Sequence, residues 1–189
     1  NNTALNYPVT KGERIEGFRD IDLIKIPLRD ENGELKSTSQ LDTEVLNAIT
    51  KTNELGRHVV LHVMDQSKLG YQSPSEKLIQ SLEQLDTLSM QIIVDASQLR
   101  LDPKDIQNYL NKGCIVTITG SKYFTGPPYS GALILPKNVS QSIQAVKTKI
   151  PKGLTNYYNR TDWPISWYCS SDLSDGFNYG SNMRWNAAI

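Results

Sequence analysis

Residues 92–136 read IIVDASQLRLDPKDIQNYLNKGCIVTITGSKYFTGPPYSGALILP, and the fold turns on how this stretch alternates. An apolar run, Ile92-Ile93-Val94, stops at Asp95-Ala96-Ser97-Gln98. A helix-capable segment follows from Asp102, where Asp102-Pro103 gives a cap and a proline at the first helical position. Ile106, Tyr109 and Leu110 supply its apolar side, and Gly113 closes it. A second apolar run, Cys114 to Ile118, stops at Thr119-Gly120-Ser121-Lys122, just before Thr125-Gly126-Pro127-Pro128. Strand, helix, strand at this length predicts a parallel crossover. Between Lys122 and the next strand, Ala132 to Leu135, no crossover helix fits, so that last strand is expected antiparallel. Ligands of open parallel sheets settle at the carboxyl ends of the strands, so Asp95 and Lys122 are expected to project toward one site.

Outward from this stretch the pattern continues. Leu41, Val45, Leu46, Ala48 and Ile49 recur at helical spacing between Ser39 and Leu55, with Gly56 as a C-terminal cap. His58 to Met64 is a nearly unbroken apolar run, as expected of a parallel strand covered on both faces. Ser73-Pro74-Ser75-Glu76 predicts a capping box with Ser73 as cap and Pro74 at the first helical position. The helix it opens carries Leu78, Ile79, Leu82 and Leu85. Upstream, Ile21 to Leu28 alternates and ends by a proline, which suits an outer strand, and Arg29 to Gly33 turns the chain. Residues 1–20 are polar and irregular. Beyond the core stretch a helix is expected from Asn138 to Ile150, then an aromatic, irregular tail, with Met183 to Ile189 beginning another helix. Length allows one domain with one good core.

Composition excludes several functions. Lys+Arg and Asp+Glu number 20 each, so there is no basic footprint for nucleic acid and no polybasic membrane patch. No run approaches the roughly 18 apolar residues of a membrane span, and the opening NNTALNYPVTKGER is unlike a secretion signal. Two distant cysteines, Cys114 and Cys169, give neither a disulfide framework nor a metal spacing, so a reducing, cytoplasmic setting is expected. His58 and His62 share a strand face without acids or cysteines nearby, which makes a metal site a poor reading. The glycine and Gly-Lys-Ser/Thr order of a P-loop are missing around Lys122.

Three of these motifs resemble the pyridoxal-phosphate (PLP) enzymes of the aspartate-aminotransferase fold, in the class V aminotransferase and cysteine desulfurase branch. Asp95-Ala96-Ser97-Gln98 resembles the family's Asp-Ala-x-Gln, Thr119-Gly120-Ser121-Lys122 its Ser/Thr-x-x-Lys, and Gly126-Pro127 with Gly131 its Gly-Pro…Gly turn. The resemblance implies a three-layer α/β/α sandwich with a mostly parallel sheet whose last strand is antiparallel. It also implies that the chain is the central part of a large PLP-binding domain, with residues 151–189 leading toward a small C-terminal domain. Lys122 is then the Schiff-base lysine and acid/base, and Asp95 the partner of the pyridine nitrogen. Gln98 would bond the phenolic oxygen, Thr119 and Ser121 the phosphate, and His62 would line the crevice together with the Asp65-Gln66-Ser67 turn at the same strand's carboxyl end. Ser121 stands where many class V members have histidine. The implied activity is a transaminase or C–S/C–C lyase acting on a small amino acid in a homodimer. The phosphate-gripping loop and the carboxylate-binding arginine of the family are not found in this sequence, so the chain alone is expected to bind PLP poorly and to turn over little.

Plainer readings stand beside these. Asp95 could brace its own turn, Lys122 could be a solvated lysine, and His62 a core histidine. Cys114 reads as buried and inert. Cys169 has nothing beside it to lower its pKa, as a desulfurase nucleophile would require. Tyr157, Tyr158, Trp163, Trp167 and Tyr168 read as packing or a dimer contact. The alternative to an enzyme is a catalytically silent domain of the same fold, acting as a binding or structural module.

Overall fold

A computed structural model describes residues 15–18, 21–85 and 87–189; most of the expected irregular segment 1–20 lies outside them. The chain divides into two compact units. One comprises the described residues up to Asp22 together with Val139–Asn182, and the other comprises Leu23–Asn138 with Met183–Ile189.

The second unit is built on a four-stranded sheet, β1 (Val59–Met64), β2 (Met90–Asp95), β3 (Ile115–Thr119) and β4 (Gly131–Ile134), ordered β1-β2-β3-β4. The first three strands are parallel and β4 runs antiparallel to β3, as the short link after Lys122 dictates. Helices α1 (Thr38–Glu54), α2 (Glu76–Glu83) and α3 (Pro103–Asn111) precede β1, β2 and β3. Val63, Ile92, Val94, Cys114 and Val116 point to one face, where they bury Ile79 of α2 and Tyr109 of α3. Val45 and Ile49 of α1 pack with Leu78 and Leu82 over Val59, Leu61 and Met90 of that same face.

Within this unit α1, α2 and α3 therefore lie on one side of the sheet. The cause is topological. Strands laid down in sequential order make every crossover step in the same direction, and right-handed crossovers then put their helices on the same face. The opposite face carries Val60, His62, Ile93, Asp95, Thr117 and Leu133; Val60 is 51% and Leu133 56% exposed. The expectation that His58 to Met64 is covered on both sides is corrected accordingly: β1 is an edge strand with one bare face.

Two local expectations also change. Residues 21–28 form no strand; Ile21 and Leu23 are exposed, and Ile26 alone packs against the second apolar cluster. Among the described residues the segment pairs with no strand, and its closing bridge, Arg29 to Leu35, only frames the turn at Gly33. For α2 the cap is Ser75, not Ser73. Ser75 Oγ accepts from the Leu78 N–H at 3.1 Å and donates to Asp42 Oδ2 at 2.5 Å, so Pro74 stays outside the helix. In α3 the expected Asp102-Pro103 start holds, with Asp105 reaching back to the Asp102 N–H at 3.1 Å.

Helix α4 (Lys137–Gln144) is shorter than expected, and in the first unit the residues after Pro151 form short 3-10 turns. Tyr158, Trp163 and Trp167 stack edge to face at 5.7 and 6.0 Å, which is packing. Arg160 binds the Pro164 carbonyl and Ser170 Oγ, at 3.1 and 2.9 Å, and Cys169 is buried. The final helix, α5, runs from Tyr179 to Ala188, starting earlier than its sequence suggested.

Candidate functional site

β2 and β3 pair in parallel with Asp95 opposite Thr117, so both strands end at the same edge of the sheet. The residues singled out by sequence fall at this edge. Asp95 is the exposed last residue of β2 and faces the bare side, where His62, also exposed, lies two residues upstream on the neighbouring strand. Thr119 closes β3 on the same face, and Ser121 and Lys122 follow in the turn. Gln98 sits half-buried in the turn after Asp95.

Hydrogen bonding shows what each group has left to offer. Asp95 Oδ1 accepts from the Ser97 N–H at 2.9 Å and from the Ser97 hydroxyl, so the acid braces the turn after its strand. Its Oδ2 has no partner among the described residues. Ser97 was given no role from sequence, although an Asp-x-Ser step out of a strand is the pattern of such a turn. Thr119 Oγ1 and Ser121 Oγ lie 2.9 Å apart, and the Ser121 N–H reaches Thr119 Oγ1 at 3.2 Å. One hydroxyl must donate to the other, which leaves a single hydroxyl proton for an outside acceptor. Lys122 is exposed, and among the described residues its amine forms no ion pair.

The Lys122 turn is closed on itself. Gly126 N–H bonds the Gly120 carbonyl at 2.9 Å, Thr125 N–H bonds the Lys122 carbonyl at 2.9 Å, and Gly120 N–H bonds the Ser130 carbonyl at 2.9 Å. Ser130 is fully buried and donates to the Pro127 carbonyl. Two non-glycine residues, Thr125 (φ 55°) and Tyr129 (φ 67°), hold left-handed backbone here.

Asp65, expected with Gln66 and Ser67 to line the crevice, instead turns inward. Its carboxylate is buried and accepts from the Tyr109 hydroxyl at 2.8 Å, while Gln72 Nε2 reaches that hydroxyl at 3.4 Å. Burial raises the pKa of Asp65, the Tyr109 bond opposes this, and Asp105 adds to it. Tyr109 is raised as well, by burial first and then by the Asp65 bond. Cys114 is pushed up to about 11 by burial, an inert thiol as its sequence implied.

A shallow depression lined by Pro27, Arg29, Asp30, Glu31 and Lys36 contains none of these site residues. Compared with protein-family models, curated proteins and solved structures, the chain matches none. Among the described residues no helix is long and apolar enough to cross a membrane.

Proposed function

We propose that the edge formed by Asp95 and Lys122 is half of a PLP site, and that the chain belongs to an enzyme transforming a small amino acid by transamination or C–S/C–C lysis. The observation that carries this reading is the placement of an acid and an unpaired amine at the carboxyl ends of two adjacent parallel strands, with the bonded Thr119 and Ser121 hydroxyls just ahead of the lysine. The residue types fit the cofactor. Asp95 Oδ2 is available to hold the proton on the ring nitrogen, and the exposed Lys122 amine is available to the aldehyde carbon. Gln98 is placed in the turn next to Asp95 for the phenolic oxygen, and the one unshared hydroxyl of Thr119 and Ser121 is available to the phosphate. Bound PLP supplies an electron sink for charge developing on the substrate. Lys122, once free, is a base within the same turn. His62 contributes from β1 on Asp95's face.

One hydroxyl proton and the turn's few N–H groups are a thin grip for a phosphate, which normally draws on several backbone N–H groups at a helix N-terminus. The aspartate-aminotransferase fold, its second helical layer and a homodimeric arrangement belong to this proposal. The engagement of Asp95 Oδ1 by Ser97 favours the second reading, a silent module in which the acid only braces its turn.

Borohydride reduction of the chain mixed with PLP, followed by peptide mapping, separates the two. The expected outcome is a phosphopyridoxyl mass on Lys122 in preference to the other lysines, lost in Lys122→Ala and weakened at least about tenfold in Asp95→Asn. Labelling spread evenly over surface lysines sinks the enzyme reading.

A further inference from the structure

The base of the Lys122 turn has a seat that its own residues do not explain. A Cβ placed on Gly120 would come within 2.6 Å of Ala188 Cβ, 3.2 Å of Ser130 Oγ and 3.4 Å of Trp185 Cζ3. A Cβ on Gly126 would overlap the Ala188 methyl and lie 2.8 Å from the Gly120 carbonyl oxygen. Both glycines are therefore required by the close approach of α5, and Ala188 is buried in that approach. Gly120 and Gly126 are also the two residues joined by the bond that closes the turn. On the far side of the loop, Arg184 lies 5.9 Å from the Tyr129 ring centroid.

We infer that Ala188, supported by Trp185, is a positioning residue for Lys122: its methyl wedges against the paired glycines and holds the turn in the conformation that presents the amine at the strand edge. The physical need is visible in the turn itself. Thr125 and Tyr129 sit in backbone conformations that cost free energy outside glycine, and such conformations persist only where surroundings over-determine them. Three self-closing hydrogen bonds do part of this, and the Ala188 contact supplies the remainder from a segment more than fifty residues downstream. Enlarging the methyl lifts α5 off the glycines. Removing it leaves the turn free to relax.

As a statement about the reactive amine, this rests on the cofactor reading, so the experiment has two readouts. In the first, amide hydrogen exchange is followed at Gly120, Thr125 and Gly126, with Val94 and Val116 of the core strands as internal controls. Ala188→Leu and Ala188→Gly should each raise exchange in the turn at least about tenfold with the controls unchanged, and Ala188→Ser should keep the wild-type pattern. In the second, borohydride capture of PLP at Lys122 should fall in the Leu and Gly variants and recover in Ser. Should Leu fail to fold, Gly carries the test alone. Unchanged turn amides in Ala188→Gly overturn the inference, as does released turn exchange with capture at Lys122 undiminished. If wild-type protein captures no cofactor while the turn amides respond, the seat stands as a backbone device and the cofactor reading falls.

Discussion

Asp65 and Tyr109 are 44 residues apart in sequence and meet in the core with a 2.8 Å bond, and burial there gives the Asp65 carboxyl a pH-dependent contribution of unusual sign. The carboxyl has a folded-state pKa above its ordinary value of 3.8, so between that value and the raised one the native state holds more protons than the unfolded chain. Its stabilising contribution is complete below the ordinary pKa and is lost as pH rises through the raised one. Urea melts should therefore show wild type losing stability relative to Asp65→Asn as the pH rises from about 4. Tyr109→Phe removes the bond that opposes the shift. It should cost about 1–3 kcal/mol near neutral pH, less in acid, as a buried carboxylate is left without its donor. Nothing in Asp65-Gln66-Ser67 announces this. The run reads as an exposed strand-end turn because the partner that draws Asp65 inward lies on α3.

At the scale of elements, local chemistry was legible where one residue type alone could do the work. Asp102-Pro103 admits one reading, and α3 begins there. Ser73-Pro74-Ser75 offers two serines, and tertiary contact decides between them: Asp42 of α1 takes the Ser75 hydroxyl, so Ser75 ties two helices while capping one. Ser75→Ala should cost about 1–2 kcal/mol, whereas Ser73→Ala, whose backbone but not hydroxyl is used against Met64, should stay within about 0.5 kcal/mol. Thermal melts of the two single variants check the assignment. Ile21 to Leu28 failed for the converse reason. Alternation shows that a segment could pair, but not that an unpaired edge awaits it. At the candidate site, the strand-end positions of Asp95 and Thr119 ahead of Lys122 and the antiparallel β4 were legible from spacing, whereas Gln98 came only from the resemblance. The bracing of the Asp95 turn was open to sequence as a plainer reading, though its partner Ser97 was not named, and the seat under Gly120 and Gly126 was hidden because it needs a contact with Ala188.

At the scale of the whole sheet, the face that its three helices take was the feature sequence hid best. Apolar runs such as His58 to Met64 look alike whether one face or both are covered, and only the strand order shows which. The energetic contrast is measurable. Ile79, fully buried between α2 and the sheet, should lose about 2–5 kcal/mol on truncation to Ala. Val60, half-exposed on the bare face, should change by no more than about 0.5 kcal/mol on replacement by Thr. Chemical denaturation of both variants decides the point. The one-sided sheet has a further consequence for any library of random substitutions selected for folding. Along β1 and β2, permissive and forbidding positions should alternate like the teeth of a comb, with 61, 63, 92 and 94 refusing polar side chains and 60, 62, 91 and 93 accepting them. A domain roofed on both sides would refuse them at every tooth.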